Sequence, residues 1–128
     1  MKTVTFEGKV IQGNGNGKKY IALSWVKQQI EEKIGFTPFM GTLNLKLSEA
    51  DSGRRKLLNG AKASKIYPAE GYCLGLFLKG SIAWLECAVV LPQIENYPEN
   101  LLEVIASMKM RDALKLKDGD KVTVSIRV

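Results

Sequence analysis

Residues Gly41-Thr42-Leu43-Asn44-Leu45-Lys46-Leu47 alternate strictly, with Leu43, Leu45 and Leu47 on one side and Thr42, Asn44 and Lys46 on the other. Only an extended strand with one face against a core separates residues in this way. The same period of two runs through Thr3 to Ile11, where Val4, Phe6 and Val10 fall at even spacing, and through Lys121 to Val128, where Val122, Val124, Ile126 and Val128 do. Strands thus stand at both ends and in the middle of the chain, and nothing between them is long enough to supply a series of helical crossovers. A parallel sheet is excluded, and a small β-barrel with short helices or an α+β domain is expected.

The remaining segments fill in that outline. Gly13-Asn14-Gly15-Asn16-Gly17 reads as a long turn, after which Tyr20 to Leu23 reads as a second strand of a hairpin. Ser24 is an expected N-cap, and Val26, Ile30 and Ile34 recur every four residues up to Gly35, which predicts a helix of about three turns. Ser48 to Ala63 has little periodicity and is expected to be a loop. Gly71 to Lys79 and Ser81 to Leu91 are apolar and predict paired central strands about a turn at Lys79-Gly80. Pro98 is expected to open a second helix carrying Leu101, Leu102 and Ile105 inward, with Glu103 on its surface. With 128 residues the chain makes one domain, residues 1–128.

Charge and composition narrow the chemistry. Nineteen Lys and Arg against 13 Asp and Glu leave +6, which favours an anionic partner. Up to and including Lys65 there are 12 basic and 5 acidic residues, a balance of +7, and beyond it 7 and 8, a balance of −1. A localised anion site fits this better than a uniformly basic coat. The chain contains no histidine, so a Ser-His-Asp triad, a Cys-His pair and an imidazole metal site are all excluded. Cys73 and Cys87 have neither metal nor redox spacing; two buried thiols are expected, with a disulfide between facing strands as the alternative. No run approaches the roughly 18 to 20 apolar residues that span a bilayer, and a soluble, cytoplasmic protein with no membrane partner is expected.

Three groups of residues carry possible chemistry. The glycine run followed by Lys18-Lys19 could let backbone N–H groups approach a phosphate or could be a bare hairpin turn. It is not a Walker A loop, because Lys19 and Gln12 stand where Ser or Thr and Gly are required. Nor is it a dinucleotide fingerprint, because Lys18 stands where Gly is required and the run is expected to lead into a strand. Thr42 and Asn44 put two neutral oxygens roughly 6.5 to 7 Å apart along the backbone on one strand face. They are either solvated or part of a Mg²⁺ site that substrate phosphates complete. Lys109 and Arg111, on either side of Met110, could grip a phosphate or a base edge.

Taken in order, the glycine run, Gly35-Phe36-Thr37-Pro38-Phe39-Met40-Gly41-Thr42-Leu43-Asn44-Leu45, Leu102-Glu103-Val104-Ile105-Ala106-Ser107-Met108-Lys109-Met110-Arg111 and Leu116-Lys117-Asp118-Gly119-Asp120 resemble the archaeal CTP-dependent riboflavin kinases. The resemblance runs nearly end to end, and the G-T-L-N-L block is its specific part. It implies a six-stranded cradle-loop barrel related to DNA-binding transition-state regulators, here without the N-terminal helix-turn-helix domain of some relatives. The implied reaction moves the γ-phosphoryl group of CTP to the 5′-hydroxyl of riboflavin, giving FMN and CDP in a monomer that binds no nucleic acid.

Residue by residue, the resemblance implies that Asn14, Gly15, Asn16, Gly17, Lys18 and Lys19 wrap the CTP phosphates. Thr42 and Asn44 would hold Mg²⁺, and Met108, Lys109, Met110 and Arg111 would contact the nucleotide. Glu103 would stand at the flavin side and accept the proton of the ribityl 5′-hydroxyl. Glu95 stands where relatives often place a threonine near the flavin, so that contact falls to Glu95 or to Asn96. Trp25, Phe39, Trp84 and Tyr97 are candidates for an aromatic slot. The alternatives are a nucleic-acid-binding barrel of the regulator type and a flavin- or nucleotide-binding protein without turnover.

Overall fold

A computed structural model describes residues 2–13, 15–60, 63–69, 71–72 and 74–128, with the side chains of 59 and 60 left aside. The strands are β1 (Thr3–Ile11), β2 (Leu43–Leu47), β3 (Ser64–Ile66), β4 (Gly75–Ile82), β5 (Leu85–Pro92), β6 (Leu101–Ile105) and β7 (Lys121–Arg127). Every pairing is antiparallel, in the order β3-β4-β5-β6-β2-β1-β7, and β4 also pairs with β7. That last pairing closes six strands into the expected barrel, with β3 added outside β4. Closure is tight at Gly80, where a Cβ would lie 2.3 Å from the Ser125 carbonyl oxygen; only a glycine admits the neighbouring backbone so closely.

The alternation of Leu43, Leu45 and Leu47 puts all three in the barrel interior, beside Phe6, Val10, Val89, Leu102, Val104, Val124 and Ile126. A second apolar cluster lies outside the barrel wall. There Ile21, Val26 and Ile30, from α1 (Asn16–Ile21) and α2 (Ser24–Lys33), and Ile34, the C-cap of α2, cover Ile66, Phe77, Ala88, Val90 and Ile105. Among the described residues no polar or charged side chain is fully buried, and no helix is long and apolar enough to cross a membrane. Cys87 is a buried free thiol, pushed up to about 12 by burial. Cys73 lies outside the described residues.

Five expectations need correction. The segment after the glycine run is helix α1, not a hairpin strand; one turn is too short to show a period, and Ile21 is held by packing on the α2 side of the barrel. Residues 101–105 form strand β6 instead of a helix, because β2 and β5 on either side supply a complete ladder. The expected loop after Leu47 contains α3 (Glu49–Arg54), capped by Ser48 accepting from the Asp51 N–H, and a 3₁₀ turn (Arg55–Gly60) that buries Leu58. Finally, Lys79-Gly80 lies within β4, and the chain reverses at Ala83-Trp84, where Ala83 has φ 52°. Helix α2 does stop at Gly35, though Leu23 rather than Ser24 is its N-cap.

Candidate functional site

The register of β2 against β6 places Asn44 directly opposite Glu103, although 58 residues separate them in the chain. Residues paired across an antiparallel ladder share a face, so both project from the outer side of the barrel wall. Thr42 precedes β2 on the same side, with its hydroxyl 3.5 Å from Asn44 Nδ2. The connection between β1 and α1 lies across these side chains. A Cβ at Gly13 would be 2.3 Å from Asn44 Nδ2, and one at Gly17 would be 2.5 Å from Thr42 Oγ1 and 2.6 Å from Glu103 Oε1. The glycines are therefore required for backbone to reach the strand face, whatever else they bind.

The result is a cleft of about 520 Å³. One wall is Gly13, Gly15, Gly17 and Lys18, the floor is Thr42, Asn44 and Glu103, and the far side is Phe39, Met40 and Met108 to Arg111. Those last residues lead into α4 (Met110–Ala113). Arg111 Nη2 donates to Asp118 Oδ1 at 2.6 Å and to the Ile11 carbonyl at 3.2 Å. This ties the α4 side of the cleft to the end of β1 and to the Asp118-Gly119-Asp120 turn. Lys19 is exposed and does not line the cleft; Asn14 lies outside the described residues.

A second, smaller and mostly apolar slot of about 130 Å³ opens beside the first. Tyr20, Ile21, Tyr72, Leu74, Val90, Pro92 and Ile94 surround it, with Asn16 at its edge. Gly17, Thr42 and Glu103 border both spaces. Tyr20, Trp25 and Tyr72 pack edge to face in sequence, with ring centroids 6.1 and 5.3 Å apart. The Tyr20 hydroxyl is buried with no hydrogen-bond partner among the described residues, and burial pushes its pKa up to about 12, so it remains a protonated donor.

Glu103 is fixed from one side. The Tyr97 hydroxyl donates to Glu103 Oε2, which leaves Oε1 as the oxygen beside Gly17 and Thr42. Burial first, then the hydrogen bond to Glu103 and its charge, push the Tyr97 phenol well above its ordinary value. It therefore donates and does not compete as a base. Glu95 and Asn96 are exposed and line neither space; Asn96, at φ 65°, makes the turn that delivers Tyr97. Trp84 is 67% exposed at the β4–β5 turn and Phe39 lines the larger cleft. Sequence reasoning missed Tyr72, Leu74 and Ile94, which carry no local pattern and meet only through the fold.

The oxygens of Thr42 and Asn44 are neutral hard donors that line the cleft. Among the described residues there is no cluster of three His, Cys, Asp or Glu that could hold a metal unaided. Such a set suits Mg²⁺ that shares its shell with phosphate oxygens and water, and suits no soft or fully caged metal.

The family model for CTP-dependent riboflavin kinases, described as "Domain of unknown function DUF120", matches residues 10–126. Among curated proteins, the riboflavin kinase of Methanosarcina barkeri is 43% identical over 94% of this chain and 56% of its own length. That of Pyrobaculum aerophilum is 44% identical over 93% of this chain and 59% of its own length. That of Ignicoccus hospitalis is 34% identical over 98% of this chain and 72% of its own length. The chain thus spans little more than half the length of most of these relatives.

Proposed function

Because the chain belongs to the CTP-dependent riboflavin kinase family, we propose that it transfers the γ-phosphoryl group of CTP to the 5′-hydroxyl of riboflavin, giving CDP and FMN. One observation carries this reading: the polar cleft and the apolar slot meet at Gly17, Thr42 and Glu103. A two-substrate phosphoryl transfer needs a phosphate-binding space and an acceptor-binding space with a common border, and little covalent chemistry from the protein.

The roles follow from placement. CTP lies in the larger cleft, its phosphates against the Gly15 to Lys18 backbone and the Lys18 side chain, and its remaining length toward Met108 to Arg111. Asn14 and Lys19 belong to the same phosphate-binding run. The flavin ring enters the slot between Tyr72 and Ile94, with the Tyr20 hydroxyl as an available donor, and its ribityl chain points back to Glu103. Glu95 and Asn96 follow the slot residue Ile94 in the chain, and any contact they make with the flavin would come from outside the slot. Glu103 Oε1 accepts the 5′-hydroxyl proton as that oxygen bonds to the γ-phosphorus and the bond to the β–γ bridging oxygen breaks, releasing CDP. Thr42 and Asn44 hold Mg²⁺, which when bound neutralises phosphate charge.

The test is direct. Protein incubated with riboflavin, Mg²⁺ and either CTP or ATP should form FMN, resolved by chromatography, with CTP the better donor. No FMN from either nucleotide would overturn the kinase reading, and FMN from ATP alone would overturn the donor.

A further inference from the structure

The connection between β2 and β3 brings to the site one cation that the reaction above does not use. Arg54 and Arg55 are consecutive but serve different surfaces. Arg54 Nη1 donates to the Thr5 carbonyl at 3.2 Å and pairs with Asp51 at 2.9 Å, its guanidinium lying over the Phe6 ring. With Asp51 Oδ2 accepting from the Glu7 N–H at 2.8 Å, these contacts anchor α3 to β1. Arg55 turns the other way, and its Cζ lies 5.2 Å from the centroid of the Tyr97 ring.

Arg55 Nε and Nη2 are buried and have no hydrogen-bond partner among the described residues. Burying guanidinium N–H groups unpaired is unfavourable; what offsets it is the face of the ring together with the nearby charges of Glu99 and Glu103. The same ring carries the hydroxyl that donates to Glu103 Oε2. We propose that Arg55 is a positioning residue: by clamping the Tyr97 ring it keeps that hydroxyl on Glu103 Oε2, and so holds Glu103 Oε1 at the border of the two spaces, where the acceptor hydroxyl must lie. The clamp stands on geometry alone, whereas its catalytic consequence rests on the kinase reading. A packing role would be met by the aliphatic stem; an orienting role needs the positive charge on the ring.

The test compares Arg55→Met, Arg55→Lys, Tyr97→Phe and the double variant Arg55→Met with Tyr97→Phe. Misplacing a reacting group slows chemistry more than binding, so Arg55→Met should lower kcat by about ten- to a hundred-fold while KM for both substrates stays within about two-fold. Arg55→Lys should recover most of the loss. In the Tyr97→Phe background the hydroxyl is already gone, and Arg55→Met should lower kcat no further.

A second readout is independent of turnover. In protein carrying ¹³C-labelled tyrosine, the resonance lost in Tyr97→Phe should move toward that of free tyrosine in Arg55→Met and stay in place in Arg55→Lys. Independent, multiplying losses in kcat, or an unmoved Tyr97 resonance, would overturn the proposal. If Arg55→Met does not fold, Arg55→Gln replaces it in both measurements, since it keeps a planar polar group without the charge. If the wild-type protein forms no FMN, the kinase reading falls, and the resonance still decides whether Arg55 holds Tyr97.

Discussion

Two neighbouring rungs of the barrel wall differ by one residue in each strand and by everything in chemistry. The inner rung runs Leu43, Val104, Val89, Leu78 across β2, β6, β5 and β4, and all four side chains are buried in the barrel core. The next rung runs Asn44, Glu103, Val90, Phe77 and faces outward. It begins polar under the glycine connection and ends apolar under α1 and α2. Glu103 is the residue at which this outer rung changes character, and it borders both the cleft and the slot. The side-chain period of a strand therefore makes a core and, on the outer face, a polar cleft with an adjoining apolar slot from the same four strands.

The strongest way to break that comparison is to cross it within β2. Asn44→Ala should reduce FMN formation by at least about a hundred-fold, since on the proposed reading it removes one of the two side chains that hold the metal at the phosphates. Its urea midpoint should stay close to that of the parent protein. Leu45→Ala, next in the chain, should do the reverse: a loss of about 3 kcal/mol in urea-induced unfolding from the cavity left in the core, with specific activity of the folded fraction retained. If Asn44→Ala unfolds the protein, or leaves turnover near normal, the outer rung is structural and the metal site lies elsewhere.

A smaller effect comes from above the rung. Gly17→Ala places a methyl group 2.5 Å from Thr42 Oγ1 and 2.6 Å from Glu103 Oε1, so the connection must lift or the two side chains must turn. Turnover should fall by about ten-fold, mostly in kcat, while alanine's better helix propensity offsets part of any stability loss. Unchanged kcat would show that the distance between α1 and β2 does not govern the chemistry.

How much of this could be read from the residues depends on how local the cause is. The inner rung was legible at Leu43, Leu45 and Leu47, because burial on one strand face writes its own period into the sequence. Thr42 and Asn44 were legible as a pair for the same reason, and Glu103 only through the family resemblance. The residues 101–105 fit a helical or an extended pattern, and the ladders on both sides decide for the strand. The glycine run by its composition suggests a phosphate site, but its contact with Asn44 and Glu103 depends on a register set by residues far away in the chain. Tyr72, Ile94 and Arg55 had no pattern at all, since each acts by meeting a side chain from another element.

The finest test of the two rungs lies in β5, where Val89 and Val90 are adjacent and both buried. Val89 belongs to the barrel interior, while Val90 belongs to the outer cluster and lines the slot. A threonine has nearly the shape of valine but carries a hydroxyl, which costs about 1 to 3 kcal/mol where it finds no partner. Val89→Thr should lose that stability in urea unfolding without altering either KM. Val90→Thr can turn its hydroxyl toward the slot, so its stability loss should be smaller. Its main effect should be a rise of a few-fold in KM for riboflavin, with KM for CTP unchanged, because an apolar wall discriminates only weakly against one added hydroxyl. Equal stability losses with riboflavin KM unmoved would mean that Val90 serves the helices alone and that the flavin lies elsewhere on the wall.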